Sequence, residues 1–203
     1  MCIRDSLYHH HYPNTLNISG VSTDKASQNF LEEYKKPLPS SFFKEQIEGS
    51  MDLFKSRLKP LMTNTVKQLA SISLNTNTFT MCVSSGSPRA RVKLCLEVAG
   101  IMPYFNESSI FTREQVNKGK PAPDLFLYSA KEMGNVSSDQ CLVIEDSTAG
   151  IEAALNAGME VIAYLGGGHT TADWYQKAIY SYNVPTVHTE QEVFDLINSK
   201  VAK

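Results

Sequence analysis

Residues 141–159, CLVIEDSTAGIEAALNAGM, decide how this chain is read. A strongly apolar run, Cys141 to Ile144, ends abruptly in two adjacent carboxylates, Glu145 and Asp146, and a helix-starting pattern follows at once. A run of this kind is a strand buried on both faces, so the two acids stand at the mouth of a buried strand. There they repel each other and resist desolvation, which costs stability unless a cation or hydrogen-bond donors compensate. A hard divalent ion would do so, because Mg2+ prefers oxygen ligands and takes one or two carboxylates together with water and substrate phosphate. The structural alternative is that Glu145 and Asp146 are N-terminal charges for the next helix, which Ser147 or Thr148 could cap.

The same rhythm recurs on either side of this stretch. From Thr78 onward TFTMCVSS precedes SPRARVKLCLEVAG, closed by Gly100, and SSIFT precedes APDLFLYSAKEMG, closed by Gly134. EVIAYL then precedes a glycine-rich loop and another helix. Repeated strand–helix units with fully apolar strands predict an α/β fold, a doubly wound, Rossmann-like parallel sheet covered on both faces. Ligands bind such sheets at the carboxyl ends of the strands. Upstream of Thr78 the pattern is helical. STDKASQNFLEEYKK opens with a cap cluster, and SFFKEQIEGSMDLFKSRL sets Phe43, Ile47, Met51, Phe54 and Leu58 on one apolar face. MTNTVKQLASI is a further helix.

Composition sets the bounds. With 203 residues, 42% of them hydrophobic, the chain can build one sizeable core and a small second domain. A formal charge of −2 and the lack of a dense Lys/Arg run argue against nucleic acid or a membrane surface as the main partner. The four cysteines, Cys2, Cys82, Cys95 and Cys141, show no metal-type spacing, and three lie in apolar segments where a thiol acts as a small hydrophobe. A reducing, cytoplasmic setting is the expectation. No stretch approaches the roughly 20 apolar residues that span a bilayer, and MCIRDSLYHHHYP has no apolar core of signal-peptide type. Residues 1–7 read as a non-native assembly scar. His9, His10 and His11 read as a tag remnant or an exposed polar segment rather than a metal site.

Two more polar clusters fall at or beside strand ends. GKPAPD sets Lys120 before a proline-stiffened turn that launches a helix at Asp124, which would present a fixed ammonium to an anion; an ordinary exposed lysine is the alternative. MCVSSGSP brings Ser84 and Ser85 to a strand end, where Gly86 lets a ligand approach the backbone and the following helix N-terminus favours an anion. Capping by Ser87, with Pro88 at the first helical position, accounts for those residues equally well.

Taken in order, these motifs resemble the haloacid dehalogenase superfamily of phosphatases and phosphomutases, from about Ile18 to the end of the chain. MCVSSGSPRARV is similar to its second motif, GKPAPDLF to its third and VIEDSTAGIEAALNAGM to its fourth, which is the most specific. VIAYLGGGHT looks like the strand and glycine turn of sugar-phosphate members, including those like 6-phosphogluconate phosphatase. The resemblance implies that Ser85 and the Gly86 N–H bind the transferring phosphoryl group. It implies that Lys120 neutralises that group and orients the nucleophile, and that Glu145 and Asp146 hold Mg2+. It further implies a helical cap over residues 8–59, a core over 60–203, and a small phosphorylated metabolite as the partner of a monomer.

One departure matters. The family's first motif is a strand ending in Asp-x-Asp-Gly-Thr, which supplies the nucleophile that forms an aspartyl-phosphate. Asp5, Asp52, Asp124, Asp139, Asp173 and Asp195 all lie in other contexts, and no Asp-x-Asp occurs. The expectation is therefore an N-terminally truncated chain lacking its first core strand and inactive by itself. Its intact parent is expected to be a Mg2+-dependent phosphomonoester hydrolase of sugar or polyol phosphates. A phosphomutase of the same fold, or a non-catalytic phosphate-binding protein, are the alternatives. A lesser departure is Asn64, which stands near the position of a family glycine at a left-handed turn. His169, after the triple glycine, reads as a surface histidine in a loop, with contact to a substrate phosphate as the alternative, and His188 reads as a surface residue near the final helix. Trp174, Tyr175, Tyr180 and Tyr182 form an aromatic-rich stretch that could stack on a base, and helix packing against the sheet is the simpler reading. Tyr34, Lys35 and Lys36 are either a solvated run or part of a specificity loop.

Overall fold

The computed structural model describes residues 23–42, 44–45, 49, 51, 55–56 and 58–201. The readings made of residues 1–7, of His9 to His11, of Asp5 and Asp52, and of the apolar positions Phe43, Ile47 and Phe54 fall outside these residues.

Five short strands are present among them, β1 (Val83–Ser85), β2 (Ile110–Thr112), β3 (Leu142–Glu145), β4 (Glu160–Tyr164) and β5 (Thr186–Val187). They alternate with helices that we number α1 (Thr23–Tyr34), α2 (Thr63–Thr76), α3 (Arg89–Val98), α4 (Asp124–Glu132), α5 (Thr148–Asn156), α6 (Asp173–Tyr180) and α7 (Glu190–Val201). Every strand pair is parallel. Val83 lies opposite Ile110 and Ser85 opposite Thr112, Glu145 lies beside Ala163, and Tyr164 lies beside Val187. Among the described residues the sheet is in two pieces, β1–β2 and β3–β4–β5, so β1 and β3 each end a piece.

The strand alternation sorts side chains into two cores. On β4, Ile162 and Tyr164 join Val66, Leu69, Val92, Leu96, Val193 and Ile197 of α2, α3 and α7. Val161 and Ala163 turn the other way, onto Phe126, Ala130, Ile151, Ala154, Tyr175 and Ile179 of α4, α5 and α6. Both faces of the sheet are therefore covered, which is why its strands can be apolar throughout. Leu96, Ile151, Ile162 and Ile179 are fully buried, and each such side chain contributes about 1.5–3 kcal/mol relative to exposure.

The helix ends follow the sequence in part. Gly100 (φ +64°) and Gly134 (φ +111°) adopt the left-handed conformations that close α3 and α4. The Ile101 N–H then donates to Leu96 O at 3.0 Å. Three local readings need correction. The left-handed residue before α2 is Met62 (φ +67°), not Asn64. Asn64 is held inside the first helical turn because its N–H and its amide donate to the Glu190 carboxylate at 3.1 and 3.0 Å. Pro88, not Ser87, occupies the cap position of α3, since the Ser87 N–H is turned back to Ser85 Oγ at 3.2 Å, and the Arg89 N–H is capped by Glu114 at 3.2 Å. Strand β1 begins only at Val83, because Ser73 of α2 donates to Phe79 O at 2.6 Å and ties that segment to the helix. No described helix is long and apolar enough to cross a membrane.

Candidate active site

Strand β1 ends in Ser85 and β3 in Glu145, so both motifs reach the carboxyl ends of parallel strands. Lys120 lies in the connection from β2 to α4, at a cis Lys120–Pro121 peptide, and the Asn156 amide fixes that segment by donating to Pro121 O at 3.3 Å. The Lys120 ammonium donates to Glu145 Oε1 and, at 3.3 Å, to the carbonyl of Ser84. It also lies 4.4 Å from the centroid of the Phe126 ring. One ammonium thus touches both pieces of the sheet. The side chains of Lys120 and Glu145 are 8% and 0% exposed, so this is a buried ion pair and not a surface lysine.

A buried pair of this kind persists only when its remaining hydrogen-bonding capacity is met. For Glu145 it is. Oε2 accepts from the N–H of Asp146 at 3.0 Å, the N–H of Ser147 at 3.0 Å and the Ser147 hydroxyl at 2.9 Å. The same Ser147 oxygen accepts from the Gly150 N–H at 3.0 Å and caps α5, as the sequence suggested. Gly150 packs directly against this carboxylate, and a Cβ there would fall on the Glu145 carboxyl atoms.

Asp146 is in a different position. Its backbone is fixed, with its N–H on Glu145 and its carbonyl accepting from the Tyr175 hydroxyl at 2.8 Å. Its carboxylate is buried, yet Oδ1 has no hydrogen-bond partner. Oδ2 lies 3.2 Å from His169 Nε2, within ion-pair range but outside hydrogen-bond geometry. A buried carboxylate oxygen without a donor is costly, and it is the atom here best suited to a cation. Glu145 Oε1, already bonded to Lys120, is the second oxygen on the same strand end. Two protein carboxylates suit Mg2+, which completes its shell with water and phosphate.

Ser85 is buried, with its hydroxyl accepting from the Ser87 N–H at 3.2 Å, while Gly86 is exposed and a Cβ on it would meet nothing within 4 Å. Ser84 faces away from the strand end, its hydroxyl 2.7 Å from Ser129 Oγ on α4. Lys120 and Glu145 are in direct contact, Asp146 follows Glu145, and Ser85 follows the Ser84 carbonyl that Lys120 binds. The structure therefore places Ser85, Gly86, Lys120, Glu145 and Asp146 along one end of the strands.

Two further residues lie at this end. The surface position expected for His169 needs correction, since it is 7% exposed and buried against Asp146. Tyr175 packs inside and binds the Asp146 carbonyl, whereas Trp174 and Tyr180 are 62% and 50% exposed and do not pack as expected. The signal was the triple glycine after β4. The register sets Ala163 beside Glu145, so the residues just beyond β4 lie near Asp146. His188 is exposed, as read.

The sequence model of haloacid dehalogenase-like hydrolases matches residues 10–164. The fructose-1-phosphate phosphatase of Escherichia coli K12 is 31% identical over 147 residues, covering 71% of this chain and 73% of that enzyme. The 6-phosphogluconate phosphatase of the same organism is 29% identical over 125 residues, covering 62% of this chain and 50% of that enzyme. The chain thus spans between half and about three quarters of the length of these curated relatives. Among solved structures, a conserved haloacid dehalogenase-like protein of unknown function from Agrobacterium tumefaciens matches with a TM-score of 0.67 at 26% identity, covering 91% of this chain and 80% of that one. A match over most of the length, on the fold and motifs described above, shows that the chain belongs to the haloacid dehalogenase-like hydrolase family.

Proposed function

We propose that this chain carries the phosphate- and cation-binding part of a Mg2+-dependent phosphomonoesterase acting on small sugar or polyol phosphates through an aspartyl-phosphate. The observation that carries the reading is the buried Lys120 ammonium, held between the Ser84 carbonyl and Glu145, together with the next residue in the chain, Asp146, whose buried Oδ1 has no hydrogen-bond partner. A buried ammonium and a buried carboxylate oxygen without a donor, both at the ends of parallel strands, suit a phosphoryl group and its cation.

In this reading Ser85 and the Gly86 N–H bind the phosphoryl oxygens, and Lys120 neutralises their charge. Asp146 Oδ1 and Glu145 Oε1 would hold Mg2+, which when bound neutralises charge on the transferring group. The chain's own part is positioning and fixed electrostatics, the main contributions to phosphoryl transfer. The substrate class rests on the relatives named for fructose 1-phosphate and 6-phosphogluconate. Residues 8–59 serve as the cap that selects among such substrates. The 203 residues hold no Asp-x-Asp, so turnover requires an added aspartate.

The test is phosphate release from a panel of sugar phosphates with Mg2+. It uses the chain itself and the same chain preceded by a strand ending in Asp-x-Asp-Gly-Thr. Release is expected only from the extended form, and Lys120→Ala is expected to abolish it. Turnover by the 203-residue chain above a Lys120→Ala background would contradict the need for that aspartate. An extended form that binds phosphate without turnover would instead make this a non-catalytic phosphate-binding protein.

A further inference from the structure

The glycine run after β4 and the histidine that follows it are not used by the function proposed above, and they meet at Asp146. His169 is 7% exposed, its Nε2 lies 3.2 Å from Asp146 Oδ2, and neither imidazole nitrogen has a hydrogen-bond partner. The ring is held in place by its surroundings. It stands edge-to-face on Tyr175 at 5.7 Å, and a Cβ on Gly167 would come within 2.8 Å of its Cε1 and 3.0 Å of its Nδ1. The turn carrying it is fixed by the Thr170 hydroxyl, 2.6 Å from the carbonyls of both Leu165 and Gly167. Tyr175 in turn binds the Asp146 carbonyl at 2.8 Å. The loop after β4 and the first turn of α6 therefore close on a single residue, one gripping its backbone and the other facing its carboxylate.

We propose that His169 is a positioning residue for Asp146. An Nε2–H directed at Oδ2 would hold the Asp146 carboxylate so that Oδ1 is presented to a cation. Gly167 is required because any side chain there would displace the ring. The proposal rests on the reading that Asp146 holds the cation. It gives a role to two buried polar atoms, Asp146 Oδ1 and His169 Nε2, that lie at this strand end without hydrogen-bond partners. Partners that orient a ligating side chain act on metal affinity directly.

The experiment is Mn2+ binding to the whole chain, followed by the electron paramagnetic resonance signal of the free ion. Wild type, Asp146→Asn, His169→Leu and His169→Gln are compared, with folding checked by circular dichroism. Asp146→Asn should lose tight binding. His169→Leu should weaken affinity by about 10–100-fold, as loss of an orienting partner does, and His169→Gln, which keeps an N–H, should recover most of it. Wild-type affinity in His169→Leu, or a His169→Gln no better than His169→Leu, would overturn the proposal while leaving the cation reading intact. No effect of Asp146→Asn, or no binding by wild type, would overturn the cation reading and the proposal with it. If His169→Leu does not fold, the wild-type tautomer in the presence of Mg2+, read by two-bond nitrogen–proton correlation, decides. Nε2–H is expected, and Nδ1–H would overturn the proposal.

Discussion

Glu145 is fully buried beside a second acid because its two oxygens meet Lys120 on one side and three N–H or O–H donors on the other. Removing one partner strands the other. Lys120→Met should destabilise the fold by about 3–5 kcal/mol, the cost of an uncompensated buried charge. Lys120→Met combined with Glu145→Gln should cost clearly less than the two single changes added together, in urea denaturation curves. Gly150→Ala should cost about 1–3 kcal/mol by forcing a methyl onto the Glu145 carboxylate. In the sequence the acid pair was legible as a strained feature, and Ser147 as a cap. The compensating group was not, because Lys120 is 25 residues away and no local spacing ties it to Glu145. His169 was missed for the same reason: a histidine after glycines reads as exposed until the register of β3 on β4 brings it to Asp146.

At the scale of elements, two carboxylates act as ties between segments distant in sequence. Glu190, the first residue of α7, accepts from the N–H groups of Asn64 and Thr65 at 3.1 and 3.3 Å and so caps α2. Glu190→Ala should cost about 0.5–2 kcal/mol, as the loss of a helix cap does, and denaturant midpoints would show it. Glu107 binds Lys93 and Arg89 of α3, and these hydrogen bonds, Lys93 first, hold its carboxyl below the usual range. A lowered folded pKa means that the tie contributes above the ordinary carboxylate pKa and is lost as pH falls through the lowered value. The difference in melting temperature between wild type and Glu107→Gln should therefore be present at neutral pH and disappear on acidification. The apolar runs gave β2, β3 and β4 and the helices after them. They did not give β5, since Thr186 and Val187 are too short a pair to show a period, nor the shift of the left-handed turn from Asn64 to Met62, which depends on Glu190.

For the whole molecule, two cores on opposite faces of a parallel sheet hold the strand ends in line, and the described sheet comes in two pieces that Lys120 touches together. This architecture and the family were legible from the alternation of strands and helices and from three spaced motifs. The site's internal bonding was not, because it depends on contacts between those motifs. The central claim is that Ser85, Lys120, Glu145 and Asp146 form one pocket for a phosphoryl group and a cation. Titration calorimetry of inorganic phosphate into the chain, with and without Mg2+, tests it most directly. The account predicts that Mg2+ strengthens phosphate binding, that Asp146→Asn removes this enhancement and that Ser85→Ala weakens binding itself. Phosphate affinity that is indifferent to Mg2+ and unchanged by both substitutions would contradict it.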